Sequence, residues 1–333
     1  GALVVVLVAA ALALAFVSSG GIGGASTVTN TGGAGPLPPS VVRPVAATEI
    51  AIPSGAVSLA ATGGALWVSG FHAVSRLDSA SGRVVARITT PLVGDDSQIA
   101  AGAGSIWVTA GIGGGTVYRI DPSTNRVAAS INIGPSAVGI AIGAGSVWVT
   151  RATQRAGELI RIDPQTNRVT GPAIKVGFGP EQVTYGQGAV WVEDTSPPSA
   201  LRVDPATERA HPAPAVGAIG YGSLWVASDD KLTRTDAKTG RIIASVDIPR
   251  AQAVTTGEGE VWVLASPRSS SPTLYYPVKH TAALYEVDPH TNQIIGRPVL
   301  LNALQPIAVT VGAGTLWIAD YHDGTVSRLR LVR

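Results

Sequence analysis

The chain has 333 residues, of which 45% are hydrophobic and 14% charged, with a formal net charge of +2 at pH 7. Its 24 Lys and Arg are scattered against 22 Asp and Glu and form no basic stripe, which argues against nucleic acid as a partner; so little charge in so apolar a chain also excludes disorder over most of its length. The absence of Cys excludes disulfides, thiolate metal sites and a Cys nucleophile.

Residues 2–17 are an unbroken apolar run, ALVVVLVAAALALAFV. A membrane span takes about 20 such residues and a signal-peptide core about 7–15, so the run falls between the two. No Met and no basic stretch stand ahead of it. Residues 1–20 are therefore read as a transmembrane or signal-anchor helix, truncated at its cytoplasmic side, in a chain that is part of something longer. A signal peptide and a buried soluble helix are the alternatives. Residues 21–46 are dominated by Gly, Ser, Thr, Asn and Pro, a composition that buries no core and reads as a flexible linker.

From residue 47 onward one phrase recurs. All seven tryptophans, Trp67, Trp107, Trp148, Trp191, Trp225, Trp262 and Trp317, are followed by Val or Ile and preceded by a Gly-containing turn such as GAGS. The third copy shows the unit best. VGIAI (138–142) reads as a short strand, GAGS as a tight turn and VWVT as a second strand. ELIRI (158–162) alternates as a third, DPQTN (163–167) turns, and RVTGPAIKV (168–176) makes a fourth. Four strands in about 40 residues, repeated seven times, mark an all-β, seven-bladed β-propeller over residues 47–333. The indoles are expected to be the apolar wedges between blades.

The DP turns recur as DPSTN, DPQTN, DPATE and DPHTN, with DSASG and DAKTG as variants. Asp bonds backbone amides two residues on, Pro presets φ, and Asn or Gly tolerates the left-handed conformation that follows. A calcium loop would need several oxygen ligands in each turn, and each offers a single carboxylate. The last unit has a third strand, TVSRLRLVR (325–333), with Arg330 where the turn Asp belongs, and no fourth strand after it. TEIAIP (48–53) resembles a fourth strand, so the N-terminal strand is expected to close the ring in the last blade. The outer strand of blade four, ERAHPAPAV (208–216), holds two prolines and should be short or broken.

Units such as GAGSVWVT with LIRIDPQTNRV resemble the YVTN-type repeat family of bacterial propellers. They are also similar to the superfamily that includes NHL repeats and the streptogramin (virginiamycin B) lyases. The resemblance spans about residues 47–333. It implies the propeller fold and, by the habit of such propellers, a location outside the membrane joined to a cytoplasmic kinase or DNA-binding module. The lyases use Glu-x-His with a second His and magnesium. This chain has no Glu-x-His, its nearest phrases being KHT (279–281) and YHD (321–323), so the resemblance does not carry the catalytic residues over.

Hairpin alternation sorts the loops. The GxG and DPxTN turns share one face. The other face collects the variable loops and a long insertion in blade six, SPRSSSPTLYYPVKHTA (266–282). Candidate ligand-binding residues on that variable face are Tyr275, Tyr276, Lys279, His280, Tyr321, His322, His72, Arg151, Glu193 and Asp229. Tyr offers stacking and a hydroxyl, while Lys and Arg would hold an anionic group. No cofactor is expected. His72, His280 and His322 with Asp320, Asp323, Glu193 or Asp194 are the residues that would hold a divalent metal, though no local ligand spacing supports it. No GxSxG, HExxH or P-loop pattern is present.

The sequence thus points to a membrane-anchored, extracytoplasmic binding or sensor propeller. It would take a small molecule, glycan or protein on one face, touch the membrane through its N-terminal helix, and catalyse nothing. The alternatives are a metal-assisted lyase or hydrolase and a structural or adhesive surface protein.

Overall fold

The computed structural model describes residues 43–332, except 45, 46, 92, 95, 112, 154, 155, 196, 197, 229 and 267–281. The apolar run, most of the linker, and the candidates Asp229, Tyr275, Tyr276, Lys279 and His280 lie outside the described residues. Among the described residues no helix is long and apolar enough to cross a membrane.

Seven antiparallel sheets follow one another along the chain. Blade three runs Ile140–Gly143, Ser146–Ala152, Gly157–Asp163 and an outer strand in two pieces, Arg168–Val169 and Ile174–Lys175. The first strand of every blade touches the first strand of the next, and that of blade seven, Pro306–Gly312, touches that of blade one, Ser58–Thr62. The first strands therefore circle a central axis and the fourth strands form the rim.

The ring closes as expected. Thr48–Ala51 pairs antiparallel with Thr325–Val332, in the register Thr48↔Arg328 to Ala51↔Thr325, and Arg43–Pro44 continues along the same strand. The N-terminal segment is thus the outer strand of blade seven, and the edge that Thr325–Val332 would otherwise expose is covered.

All seven indoles are at most 1% exposed. Each packs with its own blade and a neighbour: Trp107 lies against Ile140, Val147 and Val149 of blade three, and Trp317 against Leu66 and Val68 of blade one. In the GAGS turn of blade three, Ala144 and Gly145 both take positive φ, 48° and 71°, which is the type I′ hairpin geometry. The first glycine of the phrase has a different use. A Cβ on Gly143 would sit 2.0 Å from the Tyr185 ring of blade four, and the Gly143 carbonyl accepts the indole N–H of Trp148 at 3.0 Å. The first glycine seats the neighbouring blade and the second makes the turn.

Blade four has the short outer strand expected of it, Ala210–Ala213, four residues against six or seven in blades one, two and five. The broken rims belong to blade three and to blade six, whose outer strand is Gln293–Ile294 and Val299–Leu301. In both gaps a proline, Pro172 or Pro298, removes a ladder N–H.

Candidate functional site

The loops between second and third strands, and between one blade and the next, share the variable face. Buried carboxylates hold several of them. Asp320, 2% exposed, accepts the backbone N–H groups of Leu304 (2.5 Å), Gln305 (3.1 Å), His322 (3.1 Å) and Asp323 (3.3 Å). Asp194, 3% exposed, accepts those of Phe178 (3.2 Å) and Gly179 (2.8 Å). Both carboxylates, candidates for a metal on sequence grounds, clamp the strand that leads into their own blade.

Hydroxyls stitch the blades at the same level. Thr109 receives the Gln98 N–H within blade two at 2.8 Å and donates to the Val138 carbonyl of blade three at 2.6 Å. Thr150 does the same between Gly139 (2.7 Å) and the Glu181 carbonyl of blade four (3.0 Å). In blade four the corresponding position, two residues after the Trp, is Glu193.

Blade four is distorted here. Its first strand, Pro180–Gly186, slips register between Pro180 and Val183, a bulge that carries Glu181 and Gln182. Bulges of this kind re-aim side chains and are frequent beside active sites. Burial raises the pKa of Glu181, with the charge of Asp96 adding to it and a hydrogen bond from Thr195 (3.4 Å) opposing it. Burial also raises that of Glu193, with Glu181 as the second cause. Asp96, Glu181 and Glu193 therefore form one electrostatic group that spans from the approach to blade two to the second strand of blade four. Neither Glu181 nor Glu193 forms an ion pair among the described residues. Phe178, 63% exposed, stands three residues before Glu181.

The remaining sequence candidates are dispersed. Arg151 is tied to Glu158 (Nε–Oε2 2.9 Å) and to the Ile133 carbonyl, so it braces the base of its loop. His72 is exposed, with Nδ1 2.7 Å from the Pro91 carbonyl. His322 Nδ1 lies 3.2 Å from Asp323. Tyr321 is held through its backbone N–H to Gln305 at 3.0 Å. Among the described residues no group of three His, Asp or Glu could hold a metal ion. Glu193 is the one sequence candidate that joins the acidic group. Asp96 and Glu181 were missed: their partners are distant in sequence, and the one local hint for Glu181 is the irregular GPEQ that opens its strand.

The opposite face has its own order. In six blades an Arg of the third strand lies over the Trp of the second, at 5.0–5.9 Å from the ring centroid. Several of these guanidinium groups reach the DPxTN turn of the following blade. Arg119 Nη1 donates to the Pro164 carbonyl at 2.7 Å and to Asn167 Oδ1 at 2.9 Å. Arg76 and Arg234 repeat both contacts on Pro122 and Asn125, and on Pro289 and Asn292. The DPxTN turn is therefore a receptor for the neighbouring blade as well as a turn.

These features define the class: a seven-bladed β-propeller of four-stranded blades. No family model matches the chain, and no curated protein sequence does. Similar solved structures include the WD40 domain of Pan2 from Neurospora crassa, with a TM-score of 0.62 at 11% identity over 85% of this chain and 95% of that one. Another is the computationally designed Ika8 protein, with a TM-score of 0.58 at 13% identity over 84% of this chain and 97% of that one. At such identity the likeness is one of fold alone.

Proposed function

We propose that this chain is a non-catalytic binding or sensing propeller, held outside the cytoplasm by the apolar run at residues 2–17, with its ligand docking on the variable face beside blade four. The observation that carries the reading is the acidic group at the blade-four bulge. Glu181 and Glu193 are half-buried, lack a cationic partner among the described residues and resist ionisation. Such carboxylates suit a ligand that brings its own donors or positive charge, such as an amino sugar, an amine or a basic peptide of the cell envelope. The clamped loops support the same reading, because a pre-formed rim spares a ligand the cost of ordering it. The resemblance to YVTN-type propellers joined to cytoplasmic modules supports a receptor role.

The test is thermal-shift screening of the purified propeller against amines, amino sugars and peptidoglycan fragments. A binder should raise Tm by several degrees, lose its effect in Glu181→Gln and Glu193→Gln, and bind more tightly as pH rises through the raised pKa values of these groups. A panel without a hit, or a hit indifferent to both substitutions, refutes the proposal.

A further inference from the structure

The rim strands hold the open edges of the ring, and an open edge pairs with any strand that fits it. Among the described residues six of the seven rims are guarded. Blade three has Pro172 in its rim gap, blade four has Pro212 within its outer strand, and blade six has Pro298 in its gap. Each of these prolines removes a ladder N–H. The outer strand of blade seven, Thr48–Ala51, has only four residues. Blades one and two have unbroken rims, Val84–Thr89 and Arg126–Asn132, but charge of one sign: Arg83 and Arg87 beside and within the first, Arg126 in the second, and no acid in either. Two copies of such a strand laid edge to edge would repel.

The rim of blade five has none of these guards. Ile242–Asp247 is six residues long and free of proline. Ile242 is 63% exposed and Ile243 44%. A bulge leaves Ile243 without a partner in its own blade, but the rims of blades one and two are bulged in the same way, so the bulge does not set blade five apart. Its charge does. Arg241 stands just before the strand, its carbonyl still held in the hairpin by the Asp236 N–H at 2.8 Å, and Asp247 ends the strand. Both are exposed, and neither forms an ion pair among the described residues; nor does Lys231, which lies cross-strand from Asp247.

We propose that two copies of this chain pair edge to edge through the rim of blade five, antiparallel, with the two-fold axis at Ala244. In that register Arg241 meets the partner's Asp247, Ile242 the partner's Val246, and Ile243 the partner's Ser245. The axis repeats each of these pairs, so both ends of the ladder carry an opposite-charge pair. Sliding the strands by one residue sets Asp247 against the partner's Ile242 and leaves the charges unmatched, so charge selects the register. The two blades then form one sheet of eight strands. The contact is a single strand wide, which places the dimer at the weak end of specific interfaces, with a dissociation constant of about 10–100 µM. It involves no residue of the variable face and stands independently of what binds there.

The experiment is sedimentation equilibrium of the full chain in a density-matched detergent, from about 1 to 200 µM. The wild type should pass from monomer to dimer over this range. Asp247→Arg gives the rim one sign of charge, as in blades one and two, and Arg241→Asp gives it the other; each should weaken the dimer at least about tenfold. Mixed together, the two variants should pair again, because each supplies the charge that the other lacks. The double variant Arg241→Asp with Asp247→Arg should dimerise as the wild type does, and this rescue separates a lost contact from a lost fold. A wild type that stays monomeric, a dimer indifferent to the single substitutions, or single variants that remain apart when mixed overturns the proposal.

Discussion

The Arg–turn contact gives the sharpest test of how the blades are held together. Arg119 is half-buried, donates to Pro164 and Asn167 of blade three, and donates from Nε to Ser105 of its own blade at 2.9 Å. Its guanidinium carbon lies 5.4 Å from the centroid of the Trp107 ring. Arg119→Met keeps the aliphatic stem over the indole and removes the charge and the donors. Each charged hydrogen bond is worth roughly 1 kcal/mol once water can replace it at a partly open site, and the ring contact about 0.5–1 kcal/mol. The expected loss is about 2–4 kcal/mol. Asn167 sits at φ 58°, so Asn167→Gly deletes the acceptor without straining the turn. A double-mutant cycle in urea, followed by tryptophan fluorescence, should return a coupling of about 1 kcal/mol at unchanged m-value. A single-mutant loss below about 0.5 kcal/mol, or a strictly additive cycle, would show that the seam rests on the apolar wedges and that the staple is incidental.

Trp148→Ala, at a fully buried wedge, should cost about 3–5 kcal/mol, read from the denaturation midpoint; an unchanged midpoint contradicts the packing at blade three. Glu208 occupies the left-handed position of its turn at φ 57°, where blades two, three and six use Asn, so Glu208→Asn should stabilise by about 0.5–1 kcal/mol in the same assay, and a loss of stability would mean that the Arg161–Glu208 ion pair (3.5 Å) outweighs the backbone strain. Asp320→Asn replaces an acceptor of four backbone N–H groups by an amide that accepts through one atom, and should lower stability by about 2–3 kcal/mol; thermal melts that do not change would rule out the clamp. Deleting residues 47–53 uncovers the edge of Thr325–Val332 and should give aggregation by size-exclusion chromatography, whereas a stable monomer would refute ring closure.

Most of the fold was legible because it is written in short-range chemistry. The period-2 strands, the GxG hairpins and the DPxTN turns each lie within a few residues, and seven copies of Trp made the repeat unmistakable. Even the closing strand was readable, since TEIA had no blade of its own to complete. The staples were not read, although Arg-x-Asp recurs before the turns as RLD, RID and RVD. Alternation accounts for such an Arg as an outward residue, and its true partners are 45 to 48 residues ahead in the next blade. The acidic group failed for the same reason: Asp96 and Glu181 are two blades apart in the chain, and no local pattern joins them. The candidates were drawn from several loops of the variable face, and of the described ones only Glu193 belongs to the acidic group.

Blade six shows how far a choice of residue can be traced to topology. Because the N-terminal strand supplies the rim of blade seven, that blade needs no hairpin after its third strand and has no DPxTN turn. Without the turn there is no proline carbonyl and no asparagine oxygen to receive a guanidinium from blade six. An Arg at position 286 would stack on Trp262 with its donors facing nothing, and Glu stands there instead. That seam carries instead the hydrogen bond from the Gly314 amide to Glu258. Closing the circle thus leaves one seam without an Arg staple, because ring closure removed the receptor that the other staples use.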